Sequence, residues 1–126
     1  MSLTTSTAMT IDCADVGVMA DFWQEALGYE RRLVEEPYIR LIRPRTDRII
    51  YVLILQTVAE PKTAKHRVHL DLATDDLDAE MKRLVGLGAT VLTPARRIEA
   101  ESVGGRRVAV LADPEGGEFC VTGIAD

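Results

Sequence analysis

Sulfur, aromatic rings and long apolar runs are all scarce in this chain. Two cysteines in 126 residues are too few for a disulfide framework, so the expected setting is a reduced cytoplasm. Aromatic residues make up 5% of the chain and include a single tryptophan, Trp23. No apolar stretch reaches the roughly 18 residues that a membrane helix needs. The opening Met-Ser-Leu-Thr-Thr-Ser-Thr lacks the basic and apolar regions of a secretory signal and reads as a short frayed tail. A basic surplus is missing too: 15 Lys and Arg stand against 20 Asp and Glu, for a net charge of −5. Nucleic-acid surfaces need a basic stripe, so neither nucleic acid nor a membrane is an expected partner.

What is present fits one domain over residues 1–126, with 47% hydrophobic and 28% charged residues. The most informative stretch runs from Lys65 to Asp76. Lys65, Arg67, His69 and Asp71 fall on one parity, and Val68, Leu70 and Leu72 on the other. Strand side chains alternate between faces, so the spacing predicts a strand with one oily face and one row of ionisable groups. Asp75-Asp76 then opens a helix, since an Asp side chain accepts from the exposed N–H groups of a first turn.

The halves share one order of elements. The first reads as a strand over 8–14, a helix capped by Asp15 and stopped at Leu27-Gly28, and strands over 29–34, 38–43 and 48–58. The second reads as the strand just described, a helix with Leu77, Met81, Leu84 and Leu87 on one face and a stop at Leu87-Gly88, and strands beginning at Ala89, Arg107 and Glu118. Turns are expected at 44–47, at Ser102 to Gly105 and at Asp113-Pro114-Glu115-Gly116-Gly117. A repeat of this kind gives an α+β fold of two βαβββ modules, approximately 8–58 and 66–124. Together they are expected to form one cupped mixed β-sheet with the helices outside. Leu70 and Leu72 would face the second helix, which turns His69 and Asp71 away from it. Phe119 and Val121 would turn Cys120 the same way, whereas Cys13 would lie under the first helix, so no disulfide joins the two thiols.

These motifs resemble those of the vicinal oxygen chelate superfamily, which includes glyoxalase I, extradiol dioxygenases and bleomycin-resistance proteins. The resemblance rests on Asp15, Phe22-Trp23 and Leu27-Gly28 in the first half. In the second half it rests on His69, Asp76-Leu77-Asp78, Leu87-Gly88-Ala89 and Asp113-Pro114-Glu115-Gly116. Asp12-Cys13-Ala14-Asp15, the Arg67 to Leu72 segment and Glu118-Phe119-Cys120-Val121 are closer to a glyoxalase-like subgroup. The resemblance implies homodimers and, in the metal enzymes, one ligand from each of the first, fourth, fifth and eighth strands. Carried over by spacing, those positions are Ala8, Gln56, His69 and Cys120. Ala8 has no donor atom, and no carboxylate is present, which is a poor set for a hard divalent metal. The expectation is therefore no metal; a metal, if bound, would use His69, Gln56 and Cys120.

The functional reading is a protein that binds a small organic molecule in the sheet cavity. The alternatives are a metal-dependent lyase, isomerase or dioxygenase and a drug-sequestering resistance protein. His69 and Asp71 are the candidate catalytic residues, with His69 as a base or else as a structural histidine held by Asp71. Gln56, Cys120, Asp12, Arg67 and Trp23 are the candidate substrate contacts. Trp23 also suits helix packing, Cys120 also suits an inert buried thiol, and Arg40, Arg43, Arg45 and Arg48 read as a solvated turn. Glu115 and Glu118 are assigned no chemistry.

Overall fold

The computed structural model describes residues 1–5, 7–44, 52–98 and 105–124. It divides into two compact units, Met1–Thr63 and Ala64–Asp126. The first contains β1 (Met9–Cys13), α1 (Val16–Leu27), β2 (Glu30–Glu35), β3 (Tyr38–Ile42) and β4 (Val52–Thr57). The second contains β5 (Asp71–Thr74), α2 (Leu77–Leu87), β6 (Thr90–Arg97), β7 (Arg106–Ala112) and β8 (Glu118–Ile124). The fold is α+β, with the βαβββ order in each half. The hydrogen-bonded ladders form two four-stranded sheets, ordered β1-β4-β3-β2 and β5-β8-β7-β6, where the sequence had suggested a single one. Both sheets are mixed: β1–β4 and β5–β8 run parallel, and the remaining pairs antiparallel.

Both helices begin and end as the sequence dictates. The Asp15 carboxylate accepts from Val18 N–H at 3.1 Å, and the Asp76 carboxylate from Ala79 N–H at 3.0 Å. Such a cap satisfies one of the N–H groups that a first helical turn leaves without a partner, worth about 1 kcal/mol. Gly28 and Gly88 take φ values of 67° and 123°, a region in which a Cβ would be strained. Each helix covers its own sheet. In the first unit Met19, Phe22 and Trp23 of α1 are buried, as are Ile39 and Leu41 of β3, Leu53 and Leu55 of β4, and Cys13. In the second, Leu77 and Leu84 of α2 are buried along with Ala109, Leu111, Phe119 and Val121 of β7 and β8.

Two sequence expectations need correction, and three fall outside the described residues. The strand expected from Lys65 is ordered as β5 only from Asp71, and Val68 is 69% exposed rather than packed under α2. The cause is the partner strand. Asp71 lies opposite Cys120, and β8 begins only two residues earlier at Glu118, after a turn. Residues 65–68 therefore have no parallel ladder to join. Conversely, β6 runs through Pro94 to Arg97, beyond the expected start at Ala89 to Leu92. As an edge strand with register shifts between Val91 and Arg96, it can tolerate a residue that donates no ladder hydrogen bond. The start of the expected strand over 48–58, most of the 44–47 turn with Arg45 and Arg48, and the turn at Ser102 to Gly104 lie outside the described residues.

Candidate functional site

In the second unit the sheet face away from α2 carries the reactive groups. Phe119 and Val121 are 1% and 0% exposed, and a Cβ on Gly123 would meet Leu77 Cβ at 2.7 Å. These alternate residues of β8 therefore face α2, and Cys120 between them faces the other way. Its register partner on β5 is Asp71. One further backbone bond, Cys120 N–H to Leu70 O at 2.9 Å, extends the contact upstream. That bond fixes the segment carrying His69, whose Nδ1 lies 3.2 Å from Asp71 Oδ1. One nitrogen, one oxygen and the sulfur of His69, Asp71 and Cys120 all lie within 4.8 Å of one another. Of the second-unit residues singled out from the sequence, these three are brought together.

Asp71 is the hub. Its carboxylate sits beside the imidazole and across the ladder from Cys120. Partial burial pushes the Cys120 thiol above its ordinary pKa, the Asp71 charge adds to the rise, and the Lys65 charge opposes it. Cys120 is thus a neutral donor at neutral pH, not a thiolate nucleophile. With Nδ1 turned to Asp71, the other imidazole nitrogen, Nε2, is left to meet a ligand. A carboxylate that orients one ring nitrogen defines the role of the second.

Of the remaining candidates, Arg67 belongs to the second unit and Trp23, Asp12 and Gln56 to the first. Arg67 is exposed in the bend before β5. Trp23 is 1% exposed in the core of the first unit, its ring edge-on to Phe22 with centroids 5.1 Å apart and planes at 80°. It packs a helix onto a sheet and has no face left for a ligand. Asp12 and Gln56 are register partners on β1 and β4 of the first unit. Leu55 and Cys13, on the opposite parity, are 0% and 3% exposed, so Asp12 and Gln56 share the face away from α1. The Cys13 thiol donates to Gln56 O at 3.6 Å. Ala8 is exposed ahead of β1 and brings no donor atom. The four-position ligand set implied by the resemblance therefore does not fit a hard divalent metal: it has one imidazole, one amide, one protonated thiol and one methyl group.

Sequence reasoning missed the clamp that holds the His69 segment. Glu118, assigned no chemistry above, accepts from the backbone N–H of His66 at 2.8 Å, with His66 Nδ1 3.9 Å away. The His66 ring lies over Gly117, where a Cβ would meet His66 Cε1 at 2.7 Å and Asp113 Oδ2 at 2.5 Å. The 113–117 turn is itself tied by Asp113 Oδ1, which accepts from Glu115 and Gly117 N–H at 2.9 Å each. The available signal was the Gly116-Gly117 pair: the first has φ 85°, and the second leaves room for a ring.

Comparison with known proteins agrees with this architecture. The family profile described as Glyoxalase-like domain matches residues 8–122. A glyoxalase/bleomycin resistance protein/dioxygenase family enzyme from Burkholderia phytofirmans PsJN superposes with a TM-score of 0.73 at 17% identity, covering 93% of this chain and 96% of that one. A glyoxalase-related enzyme from Fulvimarina pelagi gives 0.69 at 20% identity, covering 94% and 88%. The fosfomycin resistance protein FosX from Mesorhizobium loti gives 0.70 at 14% identity, covering 98% and 93%. At these identities the likeness is one of fold. No curated protein sequence matches the chain.

Proposed function

The chain belongs to the glyoxalase-like domain family, and on that premise we propose that it binds a small organic molecule on the open face of the second sheet. The observation that carries this reading is the His69–Asp71–Cys120 cluster: Nδ1 at 3.2 Å from Asp71, and one nitrogen, one oxygen and the sulfur all within 4.8 Å of one another. A ligand with a carbonyl, hydroxyl or acidic C–H suits it. His69 Nε2 accepts or removes the proton, Asp71 supports the imidazolium that results, and Cys120 acts as a neutral donor. A base oriented in this way contributes typically about 10²–10⁴-fold to a proton transfer. Arg67, nearby in sequence and exposed, adds attraction for an anionic ligand. The reaction class would be proton abstraction or isomerisation; a lyase step follows the same first move.

A second reading, capture of a drug-like compound without turnover, draws support from the fold shared with a fosfomycin resistance protein. We place the protein in the cytoplasm as a homodimer. The cysteine usage supports the location, and the edge strands β1, β2, β5 and β6, each paired on one side only among the described residues, support association. No helix among the described residues is long and apolar enough to cross a membrane. The test is a thermal-shift screen of hydroxy acids, keto acids and phenols on chelator-treated protein, followed by direct assay of turnover for each stabiliser. Stabilisation that disappears in His69→Ala, with turnover, supports the enzyme. Stabilisation without turnover supports capture, and no stabiliser in the panel counts against both.

A further inference from the structure

We infer that Arg96 and Arg106 anchor an anionic end of the ligand, which makes it a carbonyl or hydroxyl compound with an aromatic body and a carboxylate or phosphate at the far end. This deepens the function proposed above and rests on that reading for the His69 end. The placement follows from parity and register. On β7, Ala109 and Leu111 are 0% exposed, and Arg107 pairs with Asp78 of α2 at 3.2 Å. The alternate residues Arg106, Val108 and Val110 therefore face away from α2, on the side that carries Cys120. Val110 is the register partner of Cys120, and Val108 that of Thr122. Across the next ladder, Arg96 of β6 is the partner of Val108 and shares its face.

The open face is thus graded. His69, Asp71 and Cys120 stand at one end, the half-buried Val108 and Val110 in the middle, and two exposed arginines at the other. A mostly apolar surface with a few placed polar groups is the usual make-up of a small-molecule site. Arg96 lies two strands across and two residues along from Cys120, about 12 Å between Cα atoms. With side chains reaching in from both ends, that span suits a body the size of a benzene ring. Arg106 lies two residues along β7 from Val108, close enough for both guanidinium groups to meet one anion. None of the ion pairs among the described residues uses either arginine, whereas Arg107 on the opposite face is paired. A guanidinium fork grips carboxylate or phosphate through two parallel N–H···O bonds. The chain as a whole carries a net charge of −5, so a preference for an anionic ligand has to come from a local group of cations such as this pair.

The test titrates the full chain with three probes and reads binding by ligand-observed NMR. They are para-acetylbenzoate, which joins a carbonyl, a ring and a carboxylate; acetophenone, which lacks the anion; and pyruvate, which lacks the ring. Para-acetylbenzoate should bind at least tenfold more tightly than either of the others, and its advantage over acetophenone should shrink as salt is raised. Arg96→Gln and Arg106→Gln should each cut that advantage at least threefold, with acetophenone binding and the melting temperature unchanged. Arg96→Lys should keep part of it, and Lys82→Gln, on α2, should keep all of it. Para-acetylphenyl phosphate in place of the carboxylate identifies the preferred head group, and tight binding of either one supports the anchor. Equal binding of para-acetylbenzoate and acetophenone, or an advantage that persists in both glutamine variants, overturns this inference and leaves the proposed function standing. Pyruvate binding as tightly as para-acetylbenzoate, or no binding by any probe, also overturns it. An arginine-dependent advantage with affinities indifferent to His69→Ala supports the anchor and sinks the function proposed above.

Discussion

In the first unit the register pair on the open face is Asp12 with Gln56; in the second it is Asp71 with Cys120. Two residues upstream of Asp12 stands Thr10, on β1 opposite Ile54. Two residues upstream of Asp71 stands His69, against the carboxylate. The scaffold is the same: an Asp-capped helix on a four-stranded mixed sheet with the first strand parallel to the last. Around these two pairs the equipment differs, Thr10 against His69 two residues upstream and Gln56 against Cys120 across the ladder, whereas counted from the caps Asp15 and Asp76 the residue matched to His69 is Ala8. Those two exchanges give the second unit a titratable ring and a sulfur atom. A duplicated scaffold can thus keep its packing in both copies while the chemistry resides in one.

The largest expected effects concern the shared part of the comparison. Leu55 in the first unit and Leu111 in the second are both 0% exposed. Leu55→Ala and Leu111→Ala should each destabilise by about 2–5 kcal/mol, measured by urea midpoints. A negligible cost in one unit would break the claim that the two cores are built alike. Gly117→Ala should come next, at about 1–3 kcal/mol for overpacking, because the new Cβ collides with Asp113 and the His66 ring. It should also change the reactivity of Cys120, since His66 anchors the segment that leads to His69. Wild-type stability together with wild-type Cys120 reactivity would remove the clamp from the account.

Smaller effects separate the two thiols. Cys13 is 3% exposed under α1 and should not react with a thiol reagent in the folded protein. Cys120 should react slowly at pH 7 and faster as the pH rises, because burial and Asp71 hold its pKa above the ordinary value. Asp71→Asn removes the charge, lowers that pKa and should raise the rate several-fold at fixed pH; Asp12→Asn should change neither thiol. The sign for stability follows from the same shift. A folded-state pKa raised above the unfolded one gives a contribution fully present below the ordinary thiol pKa and lost as pH rises through the raised one. Cys120→Ala should flatten that alkaline slope, by a modest amount because Cys120 is only partly buried. A steeper slope in the variant would reverse the assignment.

The fold was legible because local signals agreed with each other. Asp15 and Asp76 cap, Gly28 and Gly88 stop, and the strands of β3, β4, β7 and β8 alternate between buried and open residues. Parity alone brought His69, Asp71 and Cys120 to one face, since alternation on β5 and β8 is set by which residues α2 covers. Three features escaped. The length of β5 depends on where β8 begins, a nonlocal fact that the Lys65 to Leu70 alternation could not report. The Glu118–His66 clamp joins residues 52 apart in the chain through a side chain and a backbone N–H, a pairing with no periodic signature. Trp23 could be read either as a pocket wall or as core, because helical spacing identifies a buried face without saying what it is buried against.

The most direct test of the central claim, that the second unit holds the site, compares two alanine variants, each two residues upstream of the register aspartate of its unit. The strongest stabiliser of the wild-type protein in the small-molecule screen is titrated by calorimetry against His69→Ala and Thr10→Ala. The account predicts that His69→Ala loses at least tenfold in affinity, about 1.4 kcal/mol, with an unchanged melting temperature. Thr10→Ala should bind as the wild type does. Undiminished binding by His69→Ala, or its failure to fold, would contradict the account: the first would place the site elsewhere and the second would make His69 a structural residue.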